Sequence, residues 1–206
     1  MRKKSKPVYG LGVNDADYPV AVNAVIGGKQ KRLWTCPFYQ SWKHMLERCY
    51  SAKYQAKSPT YSGCSVSPEW LKFSVFREWM AGQDWEEKEL DKDILQPGNK
   101  VYGPEVCVFI PAALNLFMTD SAAIRGEWPI GVCWDKGNGK FRASCRNPFT
   151  GKHEHLGMFK NPNDAHEAWR KRKHELACIY ADQQKDPRIA KALREKYLPA
   201  FQRKLK

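Results

Sequence analysis

The stretch from Leu90 to Asn115 constrains the fold more than any other part of the chain, because it has the outline of two strands followed by a helix. A Pro97-Gly98-Asn99 turn reverses the chain after a short apolar strand. Val106 to Ile110 returns as a second apolar strand, and Pro111 then opens a helix. The pattern predicts a small strand, strand and helix unit.

Three oxygen-bearing side chains in this unit are candidate ligands for one hard cation. Asp91 and Asp93 are predicted on the first strand, and Asn115 lies in about the first turn of the predicted helix. Carboxylate and amide oxygens suit Mg²⁺, which keeps several waters and takes few protein ligands. Such a cation neutralises the scissile phosphate and the leaving oxygen when a phosphodiester is hydrolysed.

The same segment resembles the ββα-metal unit of the HNH endonucleases, and among them the homing-type nucleases of phages and introns. In that family an acidic residue on the first strand and an Asn on the helix bind the metal. The resemblance gives these catalytic and metal-binding roles to Asp91 and Asn115. We predict that Asp93 assists as an outer or second metal ligand. Gly98-Asn99-Lys100 matches the turn of the family.

One position departs from the family pattern. The family has a His directly after the strand acid, where it deprotonates the attacking water, and this chain has Lys92 there. An amine acts as a base only when its pKa is lowered by several units, which two flanking Asp residues oppose. We therefore predict that Lys92 has a catalytic role in charge stabilisation and that it contacts phosphate, as Lys100 does. His44 is predicted at the surface or facing DNA, with the missing base as its alternative role.

The distribution of charge favours a polyanionic partner. The net charge is +13, and it is uneven: residues 1–57 carry +8, residues 58–120 carry −5 and residues 121–206 carry +10. Two basic flanks on either side of an acidic middle are expected when the flanks hold a phosphate backbone and the middle holds a cation.

A second unit, residues 129–170, is predicted to contain three short strands and a helix. The strands are Ile130 to Trp134, Lys140 to Arg146 and His153 to Phe159, and the helix starts at Asn163 or Asp164. Side chains of the middle strand alternate between apolar and basic, so one face suits packing on the helix and the other stays open. An open basic face of this kind has the size to enter a major groove.

This unit resembles the Apetala or ethylene-response-factor DNA-binding domain, which also occurs attached to phage HNH homing nucleases. The resemblance is carried by Gly131-Val132, by Gly139 to Ala143, by Leu156 to Phe159 and by Asp164 to Trp169. DNA contacts in that family come from alternate residues of the sheet. In this chain they fall on Lys140, Arg142, Ser144, Arg146, His153 and His155.

The amino-terminal third is predicted to supply helices and further DNA-binding surface. Pro37 starts an amphipathic helix, and a second helix after Ser67 carries aromatic residues that we expect in the core: Trp70, Phe73, Phe76 and Trp79. Residues 181–206 are predicted to form a basic C-terminal helix in which Ile189 and Leu193 have helical spacing. Structural Zn²⁺ is an alternative role for four cysteines, although no C-x-x-C pair occurs: Cys36, Cys49, Cys64 and Cys107.

The expected fold is α+β. The expected domains are an HNH-like nuclease domain with a basic N-terminal arm and helices (1–120), a linker (121–128), an Apetala-like domain with a three-stranded antiparallel sheet on a helix (129–180) and the C-terminal helix (181–206). No segment is apolar enough to span a membrane, and the basic amino terminus lacks the apolar core of a signal peptide, so we expect a cytoplasmic protein that is a monomer or weak homodimer.

The expected function is Mg²⁺-dependent hydrolysis of double-stranded DNA by a phage-type endonuclease. A non-catalytic DNA-binding protein, such as a regulator or decoy on a decayed nuclease fold, is the competing hypothesis, and Lys92 is its best support. A nuclease directed at RNA is a third hypothesis. The sequence does not indicate the target site.

Overall fold

The structure is a computed structural model that describes residues 6–119 and 126–198. It confirms a mixed α and β fold with several small sheets. The chain divides into two compact units, Met1–Pro111 and Ala112–Lys206. The predicted linker, 121–128, lies mostly outside the described residues. No described helix combines the length and apolar character that crossing a membrane requires.

Over residues 6–111 the first unit contains three helices and six short strands, together with single 3₁₀ turns at Pro59–Tyr61 and Pro68–Leu71. In chain order the elements are β1 (Ala21–Ile26), β2 (Lys29–Thr35), α1 (Pro37–Tyr50), α2 (Ala52–Lys57), β3 (Ser65–Val66), α3 (Phe73–Ala81), β4 (Lys88–Asp91), β5 (Val101–Tyr102) and β6 (Val108–Pro111).

Aromatic residues form the core of this unit, as their spacing predicts. Trp70, Phe73 and Phe76 are fully buried, and Trp79 packs against them. Trp42 of α1 joins them and donates its indole N–H to the carbonyl oxygen of Trp70 at 2.7 Å. The buried polar atom is therefore satisfied, and α1 is fixed against the 3₁₀ turn that precedes α3.

The strands of the Leu90 to Asn115 segment differ in detail from the prediction. β4 and β6 pair antiparallel, with Leu90 opposite Phe109. β4 ends at Asp91, so Asp93 lies beyond it rather than on it. Within the connection between β4 and β6, β5 pairs parallel with β3. Pro111 ends β6 instead of opening the next helix.

The four cysteines considered for zinc are all buried in the apolar core of the first unit. Burial raises the pKa of both Cys49 and Cys107 to about 12, so each thiol stays protonated at neutral pH. Protonated, buried thiols behave as small apolar side chains.

The second unit begins with a short helix and continues with a sheet and two further helices. Its elements are α4 (Ala112–Met118), β7 (Val132–Asp135), β8 (Lys140–Arg146), β9 (His153–Phe159), α5 (Pro162–Asp182) and α6 (Pro187–Lys196). The ranges of β8 and β9 equal the predicted ones, while β7 starts two residues later than Ile130. The C-terminal segment differs from the single predicted helix, because α5 extends to Asp182 and residues 183–186 separate it from α6, in which Ile189 and Leu193 are buried.

β8 lies between β7 and β9 in an antiparallel sheet, and α5 packs on one face of it. Gly131, which precedes β7, shows how close this packing is. Its φ is +82°, and a Cβ there would lie 2.1 Å from the Trp169 ring of α5. Only glycine meets both conditions, so a glycine at this position lets Trp169 of α5 approach the sheet closely.

Lys173 of α5 binds α4 within the second unit. Its ammonium donates to the carbonyl oxygen of Phe117 at 2.6 Å and lies 3.6 Å from the centre of the Phe117 ring. Burial lowers the pKa of Lys173 to about 8. A cation at the C-terminal end of a helix is favoured by the helix dipole, so this contact holds α4, and with it Asn115, on the second unit.

Candidate metal site and DNA-binding surface

Asp91 is the last residue of β4, and its side chain explains why the strand stops there. Its Oδ1 accepts the backbone N–H of Asp93 at 2.9 Å and that of Ile94 at 2.7 Å. These two bonds bend the chain away from the ladder in an Asx turn. The other oxygen, Oδ2, has no hydrogen bond or ion pair with any residue described here.

The Asp91 carboxylate lies in an environment that disfavours its charge. Burial is the main cause of its raised pKa, and the nearby Asp93 charge adds to it. The two backbone N–H groups act in the opposite direction without cancelling the effect. An ionised carboxylate that is partly desolvated and has one unbonded oxygen is stabilised by a cation at that oxygen.

Lys92, the residue at the position of the expected His, points into the protein. Its side chain is 6% exposed. The ammonium donates to Asp93 Oδ1 at 2.7 Å, to Asp93 Oδ2 at 2.8 Å and to the carbonyl oxygen of Asn99 at 2.7 Å. All three donors of an ammonium are thus used inside the loop. This geometry gives Lys92 an internal role in place of the predicted phosphate contact.

Asn99 completes the loop between β4 and β5. Its amide N–H₂ donates to the carbonyl oxygens of Lys92 at 3.0 Å and of Val101 at 2.6 Å, and its Oδ1 accepts the N–H of Val101 at 3.0 Å. The turn before it has Pro97 at the second position and Gly98, with φ +80°, at the third, as a type II turn requires. The loop that follows Asp91 is therefore held at both ends.

The residue types around Asp91 fit Mg²⁺ only in part. Asp91 Oδ2 is a suitable oxygen ligand, whereas both oxygens of Asp93 are bonded to Lys92 and would have to be shared. Asn115 lies on α4 in the second compact unit, whereas Asp91 ends β4 in the first. Across residues 6–119 and 126–198, no group of three or more His, Cys, Asp or Glu has the arrangement of a metal site.

A cavity of about 310 Å³ lies beside β4 in the first unit. His44 and Arg48 of α1 line it together with Lys88, Glu89 and Leu90 of β4. Arg48 also donates to the carbonyl oxygen of Leu90 at 3.4 Å. Burial, together with Arg48, lowers the pKa of His44, so its imidazole is neutral at pH 7 and able to accept a proton.

Arg48 was not singled out by the sequence. The available signal was its spacing, because residues four apart lie on one side of a helix and His44 and Arg48 share that side of α1. What the sequence did not indicate is that this side of α1 faces β4.

The second candidate surface is the open face of the sheet. Along β8 the side chains of Lys140, Arg142 and Arg146 are exposed, Ser144 is half-buried, and the residues between them are buried against α5. This alternation is the one expected for a sheet with a single covered face. The structure thus brings the four predicted contacts of β8 onto one side.

A β-bulge brings two histidines of β9 to the same side. The register shifts between Ala143 and Ser144, so Ser144 pairs with His155 and Arg146 pairs with His153, while Phe159 pairs with Phe141 on the covered face. With strict alternation His153, His155 and Phe159 would share one face. The bulge therefore exposes the histidines and leaves the Phe159 ring half-buried on the covered face.

Among the described residues, no acid forms a hydrogen bond or close ion pair with the cations of this face. Lys140, Arg142 and Arg146 form no hydrogen bond or ion pair within 4 Å in the part of the chain that the structure describes, although Asp135 lies near Arg142. The arginines of α5 and α6, by contrast, are paired with acids: Arg170 with Glu167, Arg172 with Glu154 and Glu175, Arg188 with Asp186, and Arg194 with Asp182.

Lys100 lies in the first unit at the end of the Asp91 loop. Its ammonium donates to the carbonyl oxygens of Thr60 at 2.9 Å and Ser62 at 3.3 Å. The side chain is exposed, so one face of the ammonium remains accessible to solvent.

Comparison of the whole chain with models of protein families, with curated proteins and with solved structures found no match.

Proposed function

We propose that this protein is a metal-dependent endonuclease of the homing type, which hydrolyses phosphodiester bonds in double-stranded DNA. The Asp91 carboxylate is the observation that supports this most, because it is partly buried and its Oδ2 lacks a hydrogen-bond partner among the described residues. The open basic face of the sheet supports DNA as the substrate, because its cations have no ion-pair partner in the part of the chain that the structure describes.

In this proposal Asp91 holds Mg²⁺, with Asn115 as the helix ligand that the family resemblance implies and Asp93 as an outer or second ligand. The ion, when bound, supplies positive charge at the scissile phosphate and the leaving oxygen. Lys92 acts indirectly: its ammonium holds the Asp93 carboxylate in place and closes the loop onto Asn99. A single metal site per chain is expected to nick one strand, and double-strand cutting then requires two chains.

His44 is the candidate for the proton acceptor that Lys92 does not provide. Its imidazole is neutral because burial lowers its pKa, and it lines the cavity beside β4. We expect His44→Ala to lower kcat by about 100-fold without weakening DNA binding, since general bases contribute roughly 10²- to 10⁴-fold. An unchanged kcat in single-turnover nicking would remove His44 from the mechanism.

The experiment that tests the proposal is nicking of supercoiled plasmid with and without Mg²⁺. Asp91→Asn keeps an oxygen that can accept the two backbone N–H groups but removes the charge, so we expect nicking to fall by more than about 100-fold with the fold intact. Asp15→Asn is the matched control, because Asp15 also accepts a backbone N–H, from Ser74 at 2.8 Å, far from β4 in sequence. Equal nicking by Asp91→Asn and wild type would refute the proposal.

The competing candidate is a non-catalytic DNA-binding protein. Lys92 favours it, because a buried, fully bonded ammonium replaces the usual base. Salt-dependent binding of duplex DNA without metal-dependent nicking would identify this function. Competition between duplex DNA and structured RNA at a stated salt concentration tests the third hypothesis, a nuclease directed at RNA.

A further inference from the structure

The strands β1 and β2 form a separate ribbon in the first unit. They pair antiparallel with one another, and in the described chain neither strand pairs with a third. The connection is Gly27-Gly28, with φ values of +61° and +72°, as a type I′ turn requires. At the base, the N–H of Cys36 donates to the carbonyl oxygen of Val20 at 2.9 Å. Isolated two-stranded ribbons are at best marginally stable in water.

The side chains of this ribbon are exposed and apolar to an unusual degree. Of the twelve large hydrophobic residues that are exposed among those described, five lie in the ribbon: Val22, Val25, Ile26, Leu33 and Trp34. Val25 is the most exposed of them, at 69%. Clusters of exposed apolar side chains on a soluble protein mark a binding surface.

The charge of the ribbon identifies the kind of partner. Residues 21–35 contain Lys29, Lys31 and Arg32 but no Asp or Glu. Arg32 donates its Nε–H to the side chain of Asn23, whereas Lys29 and Lys31 have no hydrogen bond or ion pair with the described residues. A second copy of this chain would bring like charges together, and an uncharged protein surface would leave the ammonium groups unpaired. Duplex DNA suits both kinds of side chain, because its phosphates pair with the ammonium groups and its sugars and base edges offer apolar contacts.

The pairing register places two of the cations and three of the exposed apolar side chains on one face, while Val25 and Arg32 belong to the pairs between them and lie on the other face. Ile26 is opposite Lys29, Ala24 is opposite Lys31, and Val22 is opposite Trp34. Side chains of alternate pairs share a face, so Lys29, Lys31 and Trp34 point the same way. A two-stranded ribbon fits the major groove of B-form DNA, which is roughly 12 Å wide.

We propose that the β1–β2 ribbon is a second DNA-binding element, in addition to the open face of the sheet, and that it lies in a groove of duplex DNA. Lys29 and Lys31 contact phosphates, and Trp34 packs against sugars and base edges. The inference rests on the proposed function in one respect, because it takes duplex DNA as the substrate. It does not depend on catalysis or on metal.

The test measures the affinity of the full chain for a fluorescently labelled DNA duplex in EDTA, at several salt concentrations. Each phosphate contact contributes about 0.9 to the slope of log K against log salt. We therefore expect Lys29→Ala/Lys31→Ala to reduce the slope by about 1.8. Lys171→Ala/Lys191→Ala removes the same charge from exposed positions of α5 and α6 and is expected to leave the slope unchanged. Trp34→Ala is expected to weaken binding about tenfold at constant slope.

The outcomes separate this inference from the proposed function. A slope that is unchanged in Lys29→Ala/Lys31→Ala, with normal binding by the wild type, would overturn the ribbon proposal alone. Normal ribbon results without Mg²⁺-dependent nicking would overturn the nuclease alone. Sedimentation that shows a dimer dissociated by Val25→Lys would assign the ribbon to a second copy of the chain and refute the DNA contact. A wild type without affinity for duplex DNA would refute both.

Discussion

In the loop after Asp91 the charged side chains are bonded to other parts of the loop, whereas on the open face of the sheet the cations have no such partners. Lys92 is bonded to Asp93 and Asn99, while Arg142 and Arg146 are exposed and unpaired in the described structure. Bonds inside a loop fix its geometry, as an ion site requires. Unpaired cations on a rigid sheet are available to a ligand, because binding does not first have to break an intramolecular ion pair.

The largest expected effect concerns the unpaired cations. We expect Arg142→Ala/Arg146→Ala to weaken duplex DNA binding by about 100-fold or more at constant salt, since each arginine contact is worth about 1–3 kcal/mol. The free energy of unfolding is expected to stay within about 0.5 kcal/mol of the wild type, because no intramolecular partner is lost. Fluorescence anisotropy and urea unfolding measure the two quantities.

The matched control for this prediction is Arg188→Ala/Arg194→Ala. These arginines are paired with Asp186 and Asp182 on the helical side of the unit. The control removes the same charge and is expected to change affinity by less than about threefold, the range of general electrostatic effects. Equal losses in both double variants would show that the open face has no special role.

The next effect concerns the paired lysine. Lys92→Met keeps the apolar stem but removes the ammonium, and we expect the free energy of unfolding to fall by about 2 kcal/mol. The Asp93 side chain is 51% exposed, so water can solvate the carboxylate that is left. The cost is therefore smaller than that of breaking a fully buried ion pair, about 3–5 kcal/mol. Thermal or urea unfolding measures it, with Lys100→Met as the exposed control. Equal stability of the two variants would contradict the internal role of Lys92.

Local pattern was sufficient to predict the open face of the sheet. The apolar and basic alternation from Lys140 to Arg146 matches β8 residue by residue, because the two faces of a sheet have different solvent exposure. The position of the histidines on β9 depends on a bulge near Gly157. A bulge is set by which side chains fit under α5, and alternation alone does not contain that information.

The Asp91 loop was less predictable, because contacts distant in sequence define it. Asp93 was predicted on the strand, but the Asp91 side chain ends the strand two residues earlier by accepting backbone N–H groups. Lys92 was predicted to meet phosphate, but the carbonyl of Asn99, seven residues later, binds its ammonium. The β1–β2 ribbon was not predicted either, since its apolar residues are exposed and so give no core signal.

A smaller effect is the contribution of Asp91 to the pH dependence of the free energy of unfolding when no metal is bound. Its pKa is raised by burial, so protonation favours the folded state, and the wild type should gain stability relative to Asp91→Asn as the pH falls through the folded pKa. Asp15→Asn should show the opposite sign: burial opposes the effect, but hydrogen bonds from Ser74 lower the pKa of Asp15 overall.

Urea unfolding in EDTA between about pH 7 and pH 3.5 measures both variants against the wild type. Mg²⁺ should reduce the pH effect of Asp91, because a bound cation favours the ionised carboxylate. At a free Mg²⁺ concentration about ten times Kd, we expect about 1.4 kcal/mol of added stability in the wild type and none in Asp91→Asn. Equal stabilisation of both proteins by Mg²⁺ would place the cation elsewhere.

The smallest expected effect tests whether the covered and open faces of the sheet are independent. Glu154 of β9 accepts hydrogen bonds from Arg172 of α5 at 2.6 Å and from Asn147 at 2.7 Å, and these bonds lower its pKa to about 2. The stabilisation it provides is fully present above its unfolded pKa of about 4.5 and is lost as the pH falls towards 2. Glu154→Gln should therefore show a weaker dependence of unfolding free energy on pH in this window. At pH 7 its affinity for duplex DNA should equal that of the wild type, because Glu154 pairs with α5 and not with the cations of the open face. A loss of DNA affinity in Glu154→Gln would mean that the open face depends on the ion pairs beneath it.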